Sequence, residues 1–303
     1  MPTITKQNPK GNDRPNATGS ILSLAVPVER MSSASVKILI YGKNRVGKTT
    51  LACQFPKPLL LVSFEPVESG GTESVKKIAG VRVLKEGVHF KGPDGAVLLA
   101  RELARGEDDY KTIVIDGATS LQDVVLRDIM GVEEKPVQMS WGTVQGDEYM
   151  RRSEKTREVL WEFLKQKRDV VILAKEKDHN PPKEERTTAS GKVMPDMRPK
   201  FLRGMQQSSW VSADLGGATA EWLQDAVDYI CRLYVDEEIE EQKVKVGNTV
   251  QTVYNTTGKY VRCLRTGYHP NYAAGSRSSE PEGFPEVIVE PTYEKILEAI
   301  RGK

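Results

Sequence analysis

KILIYGKNRVGKTTL, which runs from Lys37 to Leu51, decides how the rest of the sequence is interpreted. An apolar run precedes a loop that fits the phosphate-loop pattern G-x-x-x-x-G-K-[ST], and a helix-compatible run follows it. Such a loop turns backbone N–H groups towards phosphates, and the start of the next helix adds the positive end of its dipole. The stretch therefore predicts a buried strand, a triphosphate-binding loop and the start of a helix.

The residues of this loop have different expected roles. Lys48 is expected to reach the β- and γ-phosphates as a point charge, and the Thr49 hydroxyl is expected to hold Mg²⁺, a hard cation that keeps oxygen ligands. Lys43 and Arg45 lie in a loop interior without the usual additional glycines and could face a phosphate or a partner. The predicted nucleotide-binding residues are Gly42, Lys43, Asn44, Arg45, Val46, Gly47, Lys48, Thr49 and Thr50.

Composition limits the class of protein. The chain of 303 residues is long enough for one large α/β domain or two small ones. Lys and Arg total 44 against 42 Asp and Glu, so nucleic-acid binding would require a local basic patch. Cys53, Cys231 and Cys263 form no C-x-x-C pair, which argues against a disulfide framework and a zinc site and fits a reducing cytoplasm. The sequence shows no secretory pattern and no apolar run of membrane-spanning length, so a soluble intracellular protein is expected.

Two acidic residues follow apolar runs that are typical of parallel strands. Glu65 follows the run 59–64, expected beside the phosphate-loop strand. It could polarise the water that attacks a γ-phosphate, or it could be an ordinary solvated residue at the end of a strand. Asp116 ends the run 112–116 and, after a phosphate loop, is expected to hold Mg²⁺ through water.

Strand and helix patterns alternate through most of the chain. A further parallel-type strand at 170–174 leads into Lys175, and helical patterns occupy about 96–104, 119–130 and 147–167. This alternation predicts a doubly wound, mostly parallel sheet flanked by helices. From Trp222 onwards, apolar and polar residues alternate as in half-exposed antiparallel strands.

Two polar loops follow predicted parallel strands. The first, 131–146, contains Trp141. The second, the basic segment 175–204, holds eight Lys or Arg against five Asp or Glu, and its prolines exclude a long helix. A loop of this length is either functional or an ordinary solvated, charged segment, and the sequence leaves both readings open.

Several segments together resemble the phage-encoded RecA-like ATPases, the AAA-type nucleotide-binding proteins often classed with single-strand annealing recombinases. The phosphate loop is followed in order by LLLVSFE, TIVID, VVILAKEK and a late AGSR…FPE segment, so the resemblance extends over about Lys37 to Ile300. It implies a RecA-like P-loop fold, ATP and Mg²⁺ as ligands, Glu65 as the residue that activates water, and Asp116 as the Mg²⁺ partner. Lys175 stands where the family has a polar sensor and could contact the γ-phosphate in its own subunit or in a neighbouring one.

Composition and the resemblance together predict the organisation of the chain. Residues 1–35 would be a flexible arm whose short apolar segment, 21–28, forms an edge strand of this domain or adds to a neighbouring subunit's sheet. Residues 36–235 would form the RecA-like ATPase core. Residues 236–303 would form antiparallel strands and a C-terminal helix packed on the same domain.

DNA binding is implied by the two loops, because RecA-like cores place DNA-binding loops after the corresponding strands. A tryptophan in one loop and a basic run in the other supply stacking and charge for single-stranded DNA, with Trp210 as a second stacking candidate. The candidate DNA-binding residues are Trp141, Lys177, Lys183, Arg186, Lys192, Arg198, Lys200 and Arg203.

The implied function is ATP hydrolysis, with Lys48, Glu65 and Lys175 as catalytic residues. The hydrolysis would support annealing or strand exchange in phage DNA recombination, in the cytoplasm of the bacterial host. The implied partners are single-stranded DNA, further copies of the chain in a ring or filament, and a phage single-strand binding protein. The alternatives are a nucleotide-dependent scaffold in replication or packaging and a small-molecule kinase.

Overall fold

The computed structural model describes residues 35–66, 74–132, 146–179, 210–246, 249–277 and 285–301. The phosphate-loop stretch forms β1 (Lys37–Gly42), a loop and the short helix α1 (Lys48–Ala52). The other elements in chain order are β2 (Leu59–Ser63), β3 (Val81–Lys85), α2 (Gly92–Ala104), β4 (Thr112–Asp116), α3 (Ala118–Met130), α4 (Gly146–Leu164), β5 (Asp169–His179), β6 (Trp210–Ala213), α5 (Gly217–Ala226), β7 (Tyr229–Val246), β8 (Thr249–Arg265), β9 (Gly275–Ser276), β10 (Val287–Val289) and α6 (Tyr293–Arg301).

The described strands form one mixed sheet with the order β10-β8-β7-β1-β5-β4-β2-β3. The strand pairs from β7 across to β3 are parallel, whereas β8 pairs antiparallel with both β7 and β10. Two further strands lie off this path: β6 pairs antiparallel with β5, and β9 pairs antiparallel with β7. The predicted fold class, a mostly parallel α/β sheet flanked by helices with an antiparallel C-terminal extension, is confirmed.

Helices cover both faces of the central strands, which explains why these strands are apolar at nearly every position. On one face, α2, α3 and α4 pack against residues such as Leu39 and Ile113. On the other face, α1 and α6 pack against residues such as Ile38 and Val114. None of the described helices is both long and apolar enough to cross a membrane.

Three details of the sequence-based organisation were wrong. β2 does not lie beside the phosphate-loop strand, because β5 and β4 are inserted between β1 and β2. Residues 175–179 do not begin a loop but continue β5, since their backbone pairs with β6. β7 is not purely antiparallel, because its first residues pair parallel with β1 before it pairs with β8. Each of these outcomes depends on pairing with a distant segment, which local patterns do not encode.

Candidate nucleotide-binding site

The carboxyl ends of β1, β5, β4 and β2 lie side by side and form what we call the carboxyl edge. Gly42 is in register with Lys175, and Asp116 is in register with Leu173 and Ser63. Because these strands are parallel, the residues that end them meet at one side of the sheet. The edge therefore presents the phosphate loop, then Lys175, then Asp116 and finally the segment that carries Glu65.

Backbone geometry shapes the phosphate loop. A Cβ atom at Gly42 would collide with the carbonyl oxygen of Leu233 on β7, so the chain leaves β1 in a gap that only glycine fits. Gly47, directly before α1, has a φ of 94°, a left-handed conformation that is inexpensive only for glycine. The close approach of Leu233 at Gly42 and the positive φ at Gly47 therefore require glycine at both positions of the motif.

Lys48 is folded over the loop that it belongs to. Its Nζ donates hydrogen bonds to the carbonyl oxygens of Gly42 at 2.8 Å and of Lys43 at 2.7 Å. Burial lowers the pKa of the Lys48 amine, although the nearby Asp116 carboxylate opposes this shift. The amine is thus held at the phosphate loop without a direct carboxylate partner among the described residues, and it can donate to a phosphate.

Thr49 and Asp116 meet as the two phosphate-site signatures require. The Thr49 Oγ1 donates a hydrogen bond to Asp116 Oδ2 at 3.2 Å. Burial raises the pKa of Asp116 to about 6, and the nearby charge of Glu65 acts in the same direction. A hydroxyl and a carboxylate are hard oxygen donors of the kind that Mg²⁺ prefers, so this pair fits a Mg²⁺ ion.

Glu65 reaches the same edge although its strand is remote from β1. Its Oε1 accepts a hydrogen bond from Ser120 Oγ at 2.9 Å, and its Oε2 lies 3.6 Å from Lys175 Nζ. A Cβ atom on Gly117 would lie 2.9 Å from Glu65 Oε1, so the glycine after Asp116 makes room for the carboxylate. Sequence reasoning missed both Gly117 and Ser120. Their only signal was a run of small residues directly after the Asp116 strand.

Lys175 is positioned by the first turn of α3. Its backbone N–H donates to Thr119 Oγ1 at 3.1 Å, next to the Ser120 that orients Glu65. Because β5 lies between β1 and β4, the Lys175 backbone is next to Gly42. The Lys175 charge adds to the burial that lowers the pKa of the Lys48 amine, and it opposes the burial that raises the pKa of the Asp116 carboxyl. The structure therefore brings Lys48, Lys175, Asp116 and Glu65 together.

A buried ion pair supports the edge behind Lys175. Arg232 Nε on β7 donates to Glu176 Oε2 at 3.0 Å, and the Arg232 guanidinium lies 4.3 Å from the ring centroid of Tyr272. Both charged side chains are largely buried. The pair ties β7 to β5 immediately after Lys175, and nothing in the local sequence indicated it.

The candidate DNA-binding residues are brought together only in small part. Lys177 is exposed on the outer part of β5, with its Nζ 3.7 Å from Asp214 Oδ1. Trp210 is only 6% exposed and stacks on the His179 ring, with centroids 3.9 Å apart, so it is not placed to stack on DNA bases. Most of the N-terminal arm lies outside the described residues. So do the remaining candidates, which are Trp141, Lys183, Arg186, Lys192, Arg198, Lys200 and Arg203.

The raised pKa of Asp116 predicts a pH-dependent stability. The folded protein binds the Asp116 carboxyl proton more tightly than the unfolded chain does, because the Asp pKa in the unfolded chain is near 3.8. The protonated carboxyl therefore stabilises the fold at low pH, and this contribution is lost as pH rises through about 6. At pH 7 the ionised Asp116 carboxylate lowers the free energy of unfolding by about 3 kcal/mol relative to a carboxylate with the ordinary Asp pKa. Asp116→Asn is therefore expected to raise the melting temperature at pH 7.5 by several degrees, and by less at pH 5.

Thermal unfolding between pH 5 and pH 8 would measure this effect, with the exposed Asp225→Asn as the matched control. The same substitution is expected to weaken Mg²⁺-dependent ATP binding, since an amide is a poorer Mg²⁺ ligand than a carboxylate. A variant that is less stable than the unmodified protein at pH 7.5 would contradict the prediction.

A known family model matches most of the chain. A family model named AAA_24 and described as an AAA domain matches residues 34–278. Similar solved structures include a KaiC-like protein from the hyperthermophilic archaeon Pyrococcus horikoshii OT3, which is 14% identical with a TM-score of 0.35 over 85% of this chain and 90% of that chain. The RadB recombinase is 13% identical with a TM-score of 0.35 over 76% of this chain and 79% of that chain. No curated protein matches the sequence. The family match spans every residue of the carboxyl edge described above.

Proposed function

Because the chain belongs to the AAA domain family, we propose that it binds ATP with Mg²⁺ and hydrolyses the ATP in a cycle coupled to single-stranded DNA. The observation that carries the proposal is the convergence of Lys48, the Thr49–Asp116 pair, Lys175 and Glu65 at the carboxyl edge. These groups supply a phosphate-binding cation, oxygen ligands for a metal, a second cation and a general base.

ATP binding is assigned to the phosphate loop. The Lys48 amine exchanges its hydrogen bonds to the loop carbonyls for bonds to the β- and γ-phosphates. Thr49 and Asp116 hold Mg²⁺, which neutralises charge on the phosphate oxygens when it is bound. The nearby Lys175 adds a second positive charge on the side of the loop that faces Asp116.

Water activation is assigned to Glu65. Ser120 donates to one of its carboxylate oxygens and thereby fixes the orientation of the group. The other oxygen lies 3.6 Å from Lys175 Nζ, and we assign to it the role of accepting a proton from a water that attacks the γ-phosphate. Because Lys175 already contacts Glu65 of the same chain, we assign Lys175 to the site of its own subunit.

Coupling to DNA is supported by the path of β5. This strand carries Lys175 at the carboxyl edge and continues to His179, where it pairs with Trp210 at the start of β6. Six of the basic candidates fall in sequence between His179 and Trp210. We infer that a change at Lys175 is transmitted along β5 to His179, which precedes these six candidates in sequence. We assign this coupling to annealing or strand exchange in phage recombination. In this proposal the protein acts as a ring or filament, together with a phage single-strand binding protein.

The test is ATP hydrolysis measured with and without single-stranded DNA at about 50 and about 200 mM salt. DNA is expected to stimulate turnover, and the stimulation is expected to fade at the higher salt concentration because phosphate contacts release counterions. Lys177→Ala should weaken the stimulation, since Lys177 lies on the outer part of β5. Lys167→Ala, before the opposite end of β5, is the matched control that should retain it. Turnover that is indifferent to DNA would contradict the coupling and favour the scaffold or kinase alternatives.

A further inference from the structure

The phosphate loop has a second flank, on the side opposite β5. There β7 runs parallel to β1 as far as the Tyr41–Arg232 pair and then continues beyond the carboxyl edge, paired with β8. Lys175, Asp116 and Glu65, to which roles at the γ-phosphate, Mg²⁺ and water are assigned above, all lie on the β5 side. The β7–β8 side of the loop has no role in that assignment.

Arg262 on β8 covers the phosphate loop from this side. A Cβ atom added at Gly47 would lie 3.3 Å from Arg262 Nη1 and 3.7 Å from Arg262 Cδ. The Arg262 side chain is nevertheless 40% exposed. A guanidinium therefore lies directly beside the glycine that precedes the motif lysine, where it remains accessible to a ligand.

Glu290 holds Arg262 in this position. Its Oε2 lies 3.3 Å from Arg262 Nη2, and its Oε1 accepts a hydrogen bond from the Arg262 backbone N–H at 2.9 Å. The Glu290 N–H donates in return to the Arg262 carbonyl oxygen at 2.7 Å. Glu290 has a φ of 45°, which is unfavourable for a residue with a side chain. The ion pair engages Nη2, while Nη1 lies on the side of Gly47.

An exposed apolar and aromatic surface continues outward from Arg262. Alternate residues of a strand share one face, so Tyr260, Arg262 and Leu264 lie on the same face of β8. Leu264 is buried in the cluster that includes Leu51 of α1, which identifies this as the face beside the phosphate loop. Tyr260 is 74% exposed, and Val235, in register with Arg262, is 47% exposed.

We propose that Arg262 and Tyr260 bind the nucleoside part of ATP. This inference rests on the proposed ATP binding by the phosphate loop. Because Lys48 and Lys175 bind the terminal phosphates in the proposed function, the nucleoside extends to the opposite side of the loop, where β8 lies. A planar guanidinium and an exposed phenol ring offer stacking surfaces for a base, and Val235 adds apolar contact.

The test compares two ligands that share phosphates but differ in the nucleoside. Binding of Mg²⁺–ATP and of Mg²⁺–tripolyphosphate is measured by calorimetry for the unmodified protein, Arg262→Ala and Tyr260→Ala. Each substitution is expected to raise the dissociation constant for ATP about tenfold, the usual effect of losing one stacking contact with a base. Tripolyphosphate affinity is expected to stay within about twofold, because the phosphate loop is unchanged. Lys48→Ala, in contrast, should lose both ligands.

Two control variants match the chemistry that is removed. Lys259→Ala deletes a positive charge from the opposite face of β8, where Lys259 lies 3.8 Å from Glu238, and should leave ATP affinity unchanged. Tyr268→Ala removes another exposed tyrosine and should do the same. Thermal unfolding of each variant confirms that it is folded.

The outcomes separate this inference from the proposed function. Unchanged ATP affinity in both Arg262→Ala and Tyr260→Ala would overturn the nucleoside site and leave the phosphate-loop assignment intact. An equal loss of tripolyphosphate affinity would also overturn it, because it would show a phosphate contact instead. An unmodified protein that binds neither ligand would overturn the proposed function, and the nucleoside site with it.

Discussion

Lys48→Ala is expected to raise the dissociation constant for ATP by about 100-fold, because it removes the charge-assisted hydrogen bonds that the amine would make to the β- and γ-phosphates. In the structure the same amine donates hydrogen bonds to the carbonyl oxygens of Gly42 and Lys43. Burial lowers the pKa of the Lys48 amine, because desolvation disfavours its charged form. Loss of the amine is therefore not expected to unfold the protein.

Calorimetric titration with Mg²⁺–ATP would measure this change, and thermal unfolding would verify the fold. Lys43→Ala is the matched control, since it removes an exposed lysine from the same loop but keeps the backbone carbonyl that Lys48 contacts. It is expected to change ATP affinity much less than Lys48→Ala does. Retention of near-normal ATP affinity by Lys48→Ala would refute the assignment of the site.

Glu65→Gln is expected to keep ATP affinity and to lower the hydrolysis rate by about 10²- to 10⁴-fold, the usual contribution of a general base. The amide has nearly the same shape as the carboxylate. It can still accept the Ser120 hydrogen bond and fits the space left by Gly117. It cannot, however, accept a proton from water at neutral pH.

Equilibrium binding and single-turnover hydrolysis would separate the two effects. Ser120→Ala keeps the carboxylate but removes the hydroxyl that orients it, so an intermediate loss of rate with unchanged ATP affinity is expected. Hydrolysis by Glu65→Gln at the rate of the unmodified protein would remove Glu65 from the mechanism. Another group would then have to activate the water.

Much of the architecture could be predicted because local patterns of apolar residues and glycines indicate it. Continuous apolar runs predicted β1, β2, β4 and the first part of β5, and the glycines of the phosphate loop predicted its sharp turn. Asp116 could be proposed because it ends an apolar strand in a chain that also contains a phosphate loop. The structure places Asp116 against Thr49, although their role in binding Mg²⁺ stays a prediction.

The side chains that complete the site could not be found in this way, because they come from distant parts of the chain. Ser120 contacts Glu65 across 55 positions, and Arg232 contacts Glu176 across 56. Arg262 covers Gly47 only because β8 pairs with β7 and β7 pairs with β1. The sequence around one residue of such a pair does not indicate which distant residue it contacts.

The sequence by itself thus determined where a phosphate loop, its strand and the acidic strand ends lie, since hydrophobic periodicity and glycine requirements act over a few neighbouring residues. Only the tertiary structure decided the strand order. Insertion of β5 between β1 and β4 places Lys175 beside the phosphate loop, and the first turn of α3 holds Glu65 at the carboxyl edge although β2 is remote from β1. Strand order is set by the packing of both faces of the whole sheet, and that is a property of the assembled chain rather than of any one segment.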